Sequence, residues 1–573
     1  MDTVSLYNEW LEKAIDDADL KAELLGISGK AAEIDDRFYK ELEFGTGGLR
    51  GVIGAGTNRM NIYTVAKATQ GFAEYILSSS KNPSVAISYD SRIKSDLFAK
   101  TAARVFAGNG IKVYIYKKLM STPMLSFAVR TLNCSAGVMV TASHNPAKYN
   151  GYKAYGADGC QLDLDASRAV LDIINRVDAF KNVKYADFDE SLKNGDISYI
   201  SDDVINSFLN TVKAESVRPD VCKKAQLKII YTPLNGTGNE PVRAILKMVG
   251  INDVTVVPEQ EKPDGMFPTA PYPNPEIRQA FDCALKLAAT VKPDILLATD
   301  PDCDRVGIAV KDGDDYRLMT GNQVGVLLLD YIINSRRENG TLPEKPAAVK
   351  TIVTTTLTDK IAKDGGCEVF NVLTGFKFIG GVITELEKKN EENRYIFGFE
   401  ESYGYLSGCY VRDKDAVDAS MLICEMASYY KLQGLSLLDV MEGIYRKYGF
   451  YCNLQVSFTC EGESGMERMQ GIMNTLREQP PVKLGGKDVT VFSDYLAGTH
   501  KDMANCKTTD TNLPQSNVLA FSLSDGSSVT VRPSGTEPKI KVYIEAVSKD
   551  KNSAEKHAEL LVEEFKKVIG FND

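Results

Sequence analysis

Three aspartates alternate in the motif "DPDCDR", which directly follows the apolar run "DILLAT". On a fully extended strand Asp300 and Asp304 would lie ~13 Å apart, at ~3.3 Å per residue, too far for both to bind one ion with bonds of ~2.1 Å. A metal site therefore requires this segment to curve, and the proline after Asp300 is compatible with a curved loop. Carboxylates of Asp300, Asp302 and Asp304 suit Mg²⁺ and leave room for a phosphate oxygen or water. With Arg305 next in the chain, the pattern favours a metal loop over a solvated acidic turn.

A serine, a histidine and an asparagine follow another apolar run, in "GVMVTASHNP". Ser143 is a candidate nucleophile, but it is not part of the GxSxG turn of the α/β-hydrolases. His144 is one of three histidines, and adjacent side chains diverge on an extended backbone, so a serine–histidine catalytic pair is not expected. The residues alone leave open whether Ser143 is structural or takes part in metal-assisted phosphoryl transfer.

Nucleotide-binding motifs are missing from the sequence. No GxxxxGK[ST] segment occurs, and "GTGGLRG" does not fit GxGxxG. The sequence therefore lacks the main motifs that would indicate a nucleotide-dependent kinase or a dinucleotide-dependent oxidoreductase.

Hydrogen-bond donors are concentrated in "RPSGTEPKIK", residues 532–541. Arg532 can bind phosphate through two nitrogen atoms, and the hydroxyl groups of Ser534 and Thr536 add further donors. Gly535 permits close approach of the backbone, whose amides also bind anions. Two lysines on the following strand supply local positive charge. A phosphate-binding turn and a capped hairpin are equally compatible with this sequence.

A further acidic motif, "FEESYG", follows the apolar run "RYIFGF". Glu400 and Ser402 are two residues apart and could point to one side, where they would hydrogen-bond vicinal hydroxyl groups. Two adjacent acids in a loop are more often simply solvated, and on its own the motif favours that interpretation.

These motifs belong to a pattern of short apolar runs and helical segments that occurs three times, in the order β-α-β-α-β. The predicted strands lie near 84–90, 112–116 and 137–141, then 227–232, 253–257 and 294–299, then 350–356, 367–372 and 394–399. Strands separated by helices form mainly parallel sheets covered on both faces. The serine, aspartate and glutamate motifs each follow the third strand of a copy, and open α/β sheets bind ligands beyond the carboxyl ends of their strands. We therefore expect three domains that meet around one cleft.

After about residue 450 the pattern changes to antiparallel strands and a closing amphipathic helix. The predicted fold class is α/β, with three consecutive βαβαβ domains and a C-terminal α+β domain around one central cleft. The predicted domains are 1–205 with the serine loop, 206–322 with the metal loop, 323–448 with the "FEESYG" loop and 449–573 with the phosphate-binding loop.

Composition restricts the partners and the compartment. The 573 residues carry a net charge of −10 without a basic block, which argues against nucleic acid and an anionic membrane surface as partners. The N-terminus lacks the basic and apolar regions of a signal peptide, and no apolar run reaches ~18 residues. Eleven scattered cysteines without a CxxC pair indicate reduced thiols, so a cytoplasmic location is expected.

Four motifs in this order, "TASHNP", "DPDCDR", "FEESYG" and "RPSGTEPKIK", resemble the α-D-phosphohexomutase family over nearly the whole chain. The segments "FGTGGLRG", "LTGFKFIG" and "YVRDKDAVDA" are most similar to its phosphoglucomutase and phosphopentomutase branch. The resemblance implies a phosphoryl group on Ser143, Mg²⁺ bound by Ser143 and the three aspartates, and Lys153 as general base. It also implies supporting roles for Arg305 and His144 near the transferred group. Substrate contacts are implied for Arg50, Glu400, Ser402, Lys414, Arg532, Ser534, Gly535 and Thr536.

Such an enzyme is an isomerase that interconverts glucose 1-phosphate and glucose 6-phosphate. The phosphoserine forms glucose 1,6-bisphosphate, which is both intermediate and activator, and then recovers a phosphoryl group from it. The base Lys153 would need a pKa lowered by nearby positive charge. The expected partners are small-molecule sugar phosphates, and the expected state is a monomer or weak homodimer.

Three alternatives remain at this point. A phosphopentomutase or phosphomannomutase would use the same mechanism, and a metal-dependent sugar phosphatase would let water attack the phosphoserine. A non-catalytic sugar-phosphate-binding protein is disfavoured, because the serine, the three aspartates and Lys153 are all present. Two positions depart from the family pattern: Tyr405 stands where many bacterial relatives have histidine, and Cys303 where they often have glycine or alanine.

Overall fold

Three α/β domains and a C-terminal α+β domain follow one another along the chain, as predicted. The computed structural model describes residues 2–45, 47–460, 465–534 and 539–571. Among the helices in these ranges, none combines the length and apolarity that a membrane span needs.

The first domain is a six-stranded mixed sheet covered by helices. Its helices are α1 (Thr3–Lys13), α2 (Ala18–Gly26), α3 (Ala31–Phe38), α4 (Ile62–Ser79), α5 (Ser95–Gly108), α6 (Thr122–Thr131), α7 (Leu164–Ile174) and α8 (Phe188–Asn194). Its strands are β1 (Gly48–Val52), β2 (Ser84–Tyr89), β3 (Lys112–Ile115), β4 (Ala136–Val140), β5 (Tyr149–Gly156) and β6 (Ile197–Tyr199), in the order β1-β5-β4-β2-β3-β6. Every residue of β4 is buried, as expected of a strand covered on both faces.

The second domain repeats this arrangement around five strands. Its helices are α9 (Asp202–Ala214), α10 (Val221–Ala225), α11 (Asn239–Met248), α12 (Pro258–Glu261) and α13 (Asp282–Val291), with a 3₁₀ turn at Arg278–Phe281. Its strands are β7 (Lys228–Thr232), β8 (Asp253–Val256), β9 (Ile295–Thr299), β10 (Val306–Asp312) and β11 (Asp315–Met319), in the order β11-β10-β9-β7-β8.

The third domain contains four strands. Its helices are α14 (Gly321–Glu338), α15 (Leu357–Asp364), α16 (Phe376–Lys388), α17 (Ala416–Lys431) and α18 (Leu437–Tyr448), with a 3₁₀ turn at Glu392–Arg394. Its strands are β12 (Ala347–Thr351), β13 (Glu368–Val372), β14 (Tyr395–Glu400) and β15 (Gly404–Leu406), in the order β13-β12-β14-β15.

One predicted strand of the third domain was placed wrongly. The sequence predicted a strand at 350–356, whereas β12 ends at Thr351. The threonine hydroxyls form local bonds instead: Thr351 and Thr354 lie 2.8 Å apart through their Oγ1 atoms, and Thr355 Oγ1 accepts a bond from the Leu357 amide. Side chains that bond to the nearby backbone compete with strand pairing, which explains why a β-branched run leaves the sheet here.

The fourth domain is an antiparallel sheet with two helices. It comprises α19 (Gly465–Glu478), α20 (Lys551–Val568), β16 (Phe450–Thr459), β17 (Lys483–Leu484), β18 (Lys487–Asp494), β19 (Thr499–Asp502), β20 (Thr508–Asp510), β21 (Leu519–Leu523), β22 (Ser528–Pro533) and β23 (Lys539–Ser548). The main sheet has the order β16-β23-β22-β21-β18-β19-β20, and β17 pairs with β18.

The three α/β sheets share one topology that the sequence revealed only in part. In each, the first strand of the repeat lies between the second and third, as in β3-β2-β4, β8-β7-β9 and β13-β12-β14. The third strand then pairs with an antiparallel strand that was not predicted: β5, β10 or β15. The serine, aspartate and glutamate motifs therefore each lie at the hairpin between a buried parallel strand and its antiparallel neighbour.

Apolar packing joins the first three domains more tightly than the fourth. One continuous core includes side chains from all three α/β domains, and α17 is almost wholly buried within it. The fourth domain has a separate core between its sheet and its helices. The predicted domain boundaries stay predictions; those after 205 and 322 fall inside α9 and α14.

Candidate active site

A cleft of about 810 Å³ lies where the four domains meet. Most of the residues singled out from the sequence line it: Arg50, Ser143, His144, Lys153, Asp304, Arg305, Glu400, Ser402, Lys414 and Arg532. Asp300 and Asp302 are fully buried at its base, in contact with Ser143 and Lys153 respectively. Ser534 follows β22 and donates its backbone N–H to the Lys539 carbonyl at 2.7 Å. Gly535 and Thr536 lie outside the described residues.

The aspartate loop curves as a metal site requires. The Asp300 Oδ1 atom accepts bonds from the backbone amides of Asp304 at 3.1 Å and Arg305 at 3.0 Å, which turns the loop back on itself. One carboxylate oxygen from each of Asp300, Asp302 and Asp304 then lies within 4.8 Å of the others. Cys303 adopts a left-handed conformation (φ 52°) at the bend, and its thiol is buried.

The three carboxylates fit a divalent cation. They are 0–1 % exposed, and Oδ1 of both Asp302 and Asp304 has no hydrogen-bond partner within the described ranges. Burial and the charges of the other two aspartates raise the pKa of Asp300 well above its ordinary value. A buried cluster of like charges with unbonded oxygens is unfavourable unless a cation neutralises it. The donor set, three oxygens and no sulfur, suits Mg²⁺.

The serine loop brings Ser143 to this cluster. Its Oγ donates to Asp300 Oδ2 at 2.8 Å and lies 3.2 Å from His144 Nδ1. The expectation that the serine and histidine side chains diverge was wrong. Ser143 is left-handed (φ 51°) rather than extended, and this turn places both side chains on one side. Burial, with the positive charges of Arg305 and Arg50, lowers the pKa of His144 well below its ordinary value, so the ring stays neutral.

A left-handed residue occurs in the corresponding loop of all three α/β domains. Ser143, Cys303 and Tyr403 have φ values of 51°, 52° and 65° and follow β4, β9 and β14. Such conformations are uncommon for residues with a side chain and occur frequently at functional turns. The repeated hairpin therefore uses the same tight turn to present three different side-chain sets to one cleft.

Two lysines contact the aspartate cluster. Lys153 Nζ lies 2.9 Å from Asp302 and 3.5 Å from Asp304, and Lys414 Nζ lies 2.9 Å from Asp304 and 3.3 Å from Asp413. The expectation of a lowered Lys153 pKa does not hold beside these carboxylates. Burial lowers the pKa of Lys153, but the carboxylates of Asp302 and Asp304 outweigh it and leave the pKa above its usual range. Lys414 acts in the lowering direction but is too weak to reverse this.

Hydrogen bonds within the second and third domains hold two further cleft side chains in place. Arg305 Nη1 donates to Glu276 Oε1 at 2.7 Å, so its charge is partly balanced. Glu400 Oε1 accepts the Gly375 N–H at 2.9 Å, which fixes this carboxylate at the cleft wall. Among the described residues, the Arg50 side chain forms one long hydrogen bond, to Asn145 at 3.5 Å, and it is exposed to the cleft.

Tyr405, which stands where many bacterial relatives have histidine, does not form part of the cleft surface. Its ring is 1 % exposed and packs on Phe399 with centroids 6.4 Å apart. Its hydroxyl donates to the Gly321 carbonyl at 3.3 Å. Tyr405 is thus a core residue of the third domain, and recognition of the sugar must come from other side chains.

Several residues of the site were missed by sequence reasoning: Glu276, Gln455, Lys541 and Tyr543, which line the cleft, and Arg92 and Thr122, which are buried behind it. Thr122 donates its hydroxyl to Asp302 Oδ2 at 2.9 Å, and Arg92 holds the serine loop. Both follow parallel strands, β3 and β2, that end at the same sheet edge as β4. Examining every strand end, rather than the third of each repeat, would have found them. Lys541 was noted only as a source of charge, although it lines the cleft beside Arg532.

Glu401, next to the sugar-contact candidate Glu400, gives a pH prediction. Burial and the neighbouring Glu400 raise the pKa of Glu401 to about 7. Between its unfolded pKa near 4.5 and pH 7 the folded protein binds more protons here than the unfolded chain, so stability falls as pH rises through this window. This loss of folding stability is at most about 3 kcal/mol, and Glu401→Gln should abolish this part of the pH dependence. The check is the free energy of unfolding at pH 5 and pH 8, with Glu442→Gln on α18 as control. A variant and wild type with the same pH dependence would contradict the assignment.

Comparisons with known proteins agree with this architecture. Models of the phosphoglucomutase/phosphomannomutase family match in sequence: the α/β/α domains I, II and III at 41–181, 206–313 and 320–448, and the C-terminal domain at 483–562. A phosphoglucomutase of Staphylococcus aureus is 38% identical over 543 residues, covering 93% of this chain and 94% of its own. One of Staphylococcus saprophyticus is 37% identical over 507 residues, covering 88% and 90%.

Solved structures show the same fold. A putative phosphomannomutase from Thermus thermophilus superposes with a TM-score of 0.68 at 22% identity, covering 92% of this chain and 99% of that one. The open form of the Paramecium phosphoglucomutase parafusin gives 0.67 at 17% identity, covering 93% and 96%. The resemblance seen in the four sequence motifs is confirmed, and the chain belongs to the phosphoglucomutase/phosphomannomutase family of phosphoryl-transferring isomerases.

Proposed function

We propose that this protein interconverts glucose 1-phosphate and glucose 6-phosphate through a phosphoserine at Ser143. The observation that carries the proposal is the contact between Ser143 Oγ and Asp300 at the base of a cleft that all four domains line. A serine held against a carboxylate cluster suited to a cation is a site for phosphoryl transfer. The glucose preference rests on the two staphylococcal relatives, which are named phosphoglucomutases.

In the first half-reaction the phosphoserine transfers its phosphoryl group to the free O6 of glucose 1-phosphate. The O6–P bond forms, the P–Oγ bond of Ser143 breaks, and the O6 proton passes to Lys153. Bound by Asp300, Asp302, Asp304 and the phosphoserine, Mg²⁺ would neutralise charge on the transferred group. It would also balance the carboxylates that raise the Lys153 pKa, so that burial and Lys414 could lower it toward the range of a base.

In the second half-reaction glucose 1,6-bisphosphate presents its other end to the serine. After the intermediate has turned, Ser143 Oγ attacks the phosphorus of the C1 phosphate, the P–O1 bond breaks, and O1 takes back the proton that Lys153 accepted from O6. The product is glucose 6-phosphate, and the phosphoserine is regenerated. Both orientations must satisfy the same distal contacts, for which Glu400 and Ser402 offer acceptors and donors to ring hydroxyls.

The distal phosphate is proposed to bind on the fourth domain. Arg532 and Lys541 face each other across β22 and β23, and both line the cleft. The carboxylates of Glu276 and Glu401 act on Lys541 from a distance, and the two neighbouring positive charges are suited to an anion. Burial and Arg532 lower the pKa of Lys541, an effect that a bound phosphate would reverse.

Removing the charge of Lys541 should weaken substrate binding more than it slows the chemical step. Lys541→Met is expected to raise KM for glucose 1-phosphate about 10-fold or more, since hydrogen bonds to a charged group contribute ~1.5–3 kcal/mol. Lys541→Arg should stay close to wild type. Steady-state kinetics test this prediction. The control variant is Lys501→Met, because Lys501 is an exposed lysine of β19. An unchanged KM in Lys541→Met would remove this lysine from the site.

The function itself is tested with protein incubated with Mg²⁺ and catalytic glucose 1,6-bisphosphate. Glucose 1-phosphate should yield glucose 6-phosphate, with kcat/KM above those for mannose 1-phosphate, ribose 1-phosphate and deoxyribose 1-phosphate. A higher kcat/KM for another sugar would keep the mechanism and change the substrate. Release of inorganic phosphate in excess of isomerised sugar would identify a phosphatase and overturn the proposal.

A further inference from the structure

Arg92 is buried beneath the loop that carries Ser143. Arg92 is 3 % exposed. Its guanidinium donates hydrogen bonds to four backbone carbonyls of residues 143–149. Nη2 donates to the carbonyls of Ser143 and Asn145, and Nη1 donates to those of Pro146 at 3.0 Å and Tyr149 at 3.1 Å. One planar group therefore holds the entire turn from the inside.

Asp90 fixes Arg92 and reaches the same loop by a second route. Arg92 Nε lies 3.2 Å from Asp90 Oδ2, and both side chains are fully buried. Asp90 Oδ2 also accepts the Thr141 hydroxyl at 2.7 Å, and Thr141 Oγ1 in turn accepts the Ser143 N–H at 2.8 Å. Ser143 is thus held through its carbonyl by Arg92 and through its amide by the chain that starts at Asp90.

The second domain supports this arrangement. The Phe267 ring lies under the Arg92 guanidinium, 5.1 Å from ring centroid to Cζ, and Phe267 is fully buried. Gly265, in the same loop, approaches the backbone of residues 91–93 so closely that an added Cβ would lie 2.5 Å from the Ile93 nitrogen. The Arg92 side chain is therefore clamped between the serine loop of the first domain and a loop of the second.

This support matters because the conformation of Ser143 is intrinsically unfavourable. A left-handed serine needs surrounding contacts to persist. Four carbonyls converging on one point would repel one another without a donor between them. Only a guanidinium offers enough N–H groups in a rigid plane to satisfy them, and lysine has a single nitrogen.

We propose that Arg92 is a positioning residue that holds Ser143 Oγ in line for phosphoryl transfer, with Phe267 as its support from the second domain. The inference rests on the proposed function, because it concerns the serine that carries the phosphoryl group. Among the described residues the Arg92 guanidinium meets backbone carbonyls, Asp90 and the Phe267 ring, so it acts through the loop and not on the substrate.

Arg92→Lys is the main test because it keeps the buried positive charge opposite Asp90. It should lower kcat about 100-fold, the effect expected when reacting groups are misplaced by ~1 Å. KM for glucose 1-phosphate should stay within about twofold, since the distal contacts are untouched. The dissociation constant of glucose 1-phosphate, measured calorimetrically, should also be unchanged.

Phe267→Leu provides a second variant that leaves the guanidinium in place. It should lower kcat by about 10-fold with an unchanged KM, because the support of Arg92 is loosened but the carbonyl bonds remain. Arg130→Lys is the matched control: Arg130 bonds to the Asp158 carbonyl and to Glu387 of the third domain, away from the serine loop. Its kcat and KM should match those of wild type.

All rates are to be normalised to the fraction of molecules whose Ser143 becomes phosphorylated by glucose 1,6-bisphosphate, counted by intact-protein mass. A merely structural role would reduce that fraction and the melting temperature, but not kcat per phosphorylated molecule. Wild-type kcat per phosphorylated Arg92→Lys molecule would overturn the inference and leave the proposed function intact. No turnover by wild type would overturn both.

Discussion

Ser143→Ala is expected to abolish the mutase reaction while the protein still binds glucose 1-phosphate. Without the oxygen that carries the phosphoryl group neither half-reaction can occur, so kcat should fall by about 10⁴-fold or more. Binding should persist because the proposed sugar and distal-phosphate contacts come from the third and fourth domains. Measurements of isomerisation and calorimetric binding on the same preparation check both halves of this prediction.

The control for Ser143→Ala is a serine at the other end of β4. Ser135 immediately precedes this strand, whereas Ser143 follows it, and among the described residues the Ser135 hydroxyl bonds to Ser80 Oγ at 3.3 Å. Ser135→Ala should therefore keep wild-type turnover. Incubation with ³²P-labelled glucose 1,6-bisphosphate should label wild type and Ser135→Ala but not Ser143→Ala. Label on Ser143→Ala would mean that another residue accepts the phosphoryl group.

The positions of the reactive loops could be predicted because they depend on a periodic signal. Buried parallel strands such as β4 and β9 are continuous apolar runs, and a polar motif after such a run must lie at the carboxyl edge of a sheet. Three copies of that pattern were enough to predict that Ser143, Asp300 and Glu400 share one cleft. The packing of the domains did not have to be known for this prediction.

Local backbone geometry could not be predicted from the same signal. The left-handed turn at Ser143 is held by Arg92, which reaches the loop from elsewhere in the fold, and by Thr141, whose hydroxyl is bound by Asp90. Sequence reasoning placed Ser143 and His144 on an extended backbone and so separated side chains that lie 3.2 Å apart. The antiparallel strand β5, which carries Lys153, was missed for a related reason: its sequence "YNGYKAYG" is neither an apolar run nor a regular alternation.

The pKa expected for Lys153 was not found, because another segment of the chain lies against this lysine. Lys153 was expected to have a lowered pKa because a general base needs one, but the site places it against Asp302 and Asp304. Only the tertiary structure shows that the lysine and the metal loop share the same space. Under the proposed function, the charge of a cation at this loop would help to set the pKa of Lys153, which the sequence around Lys153 alone could not reveal.

Asp300→Asn is expected to have opposite effects on stability with and without Mg²⁺. Asparagine can keep the local bonds of Asp300, with Oδ1 accepting the amides of Asp304 and Arg305 and Nδ2 turned to Ser143. The loop should therefore keep its shape while it loses one negative charge. Turnover should fall about 10³-fold or more, because metal-ion stabilisation of the transition state contributes several kcal/mol.

The stability effects distinguish loss of the cation from loss of the fold. In EDTA the variant should melt at a higher temperature than wild type, because Asp302 and Asp304 then remain paired with Lys153 and Lys414 while one unbalanced buried carboxylate is gone. At 100 times the dissociation constant Mg²⁺ should stabilise wild type by about 2.7 kcal/mol and leave the variant unchanged, so the order reverses. Asp294→Asn, at the opposite end of β9, should respond to Mg²⁺ like wild type. A variant less stable than wild type in EDTA would mean that the three carboxylates are not mutually repulsive, and the case for a cation at this loop would lose its physical basis.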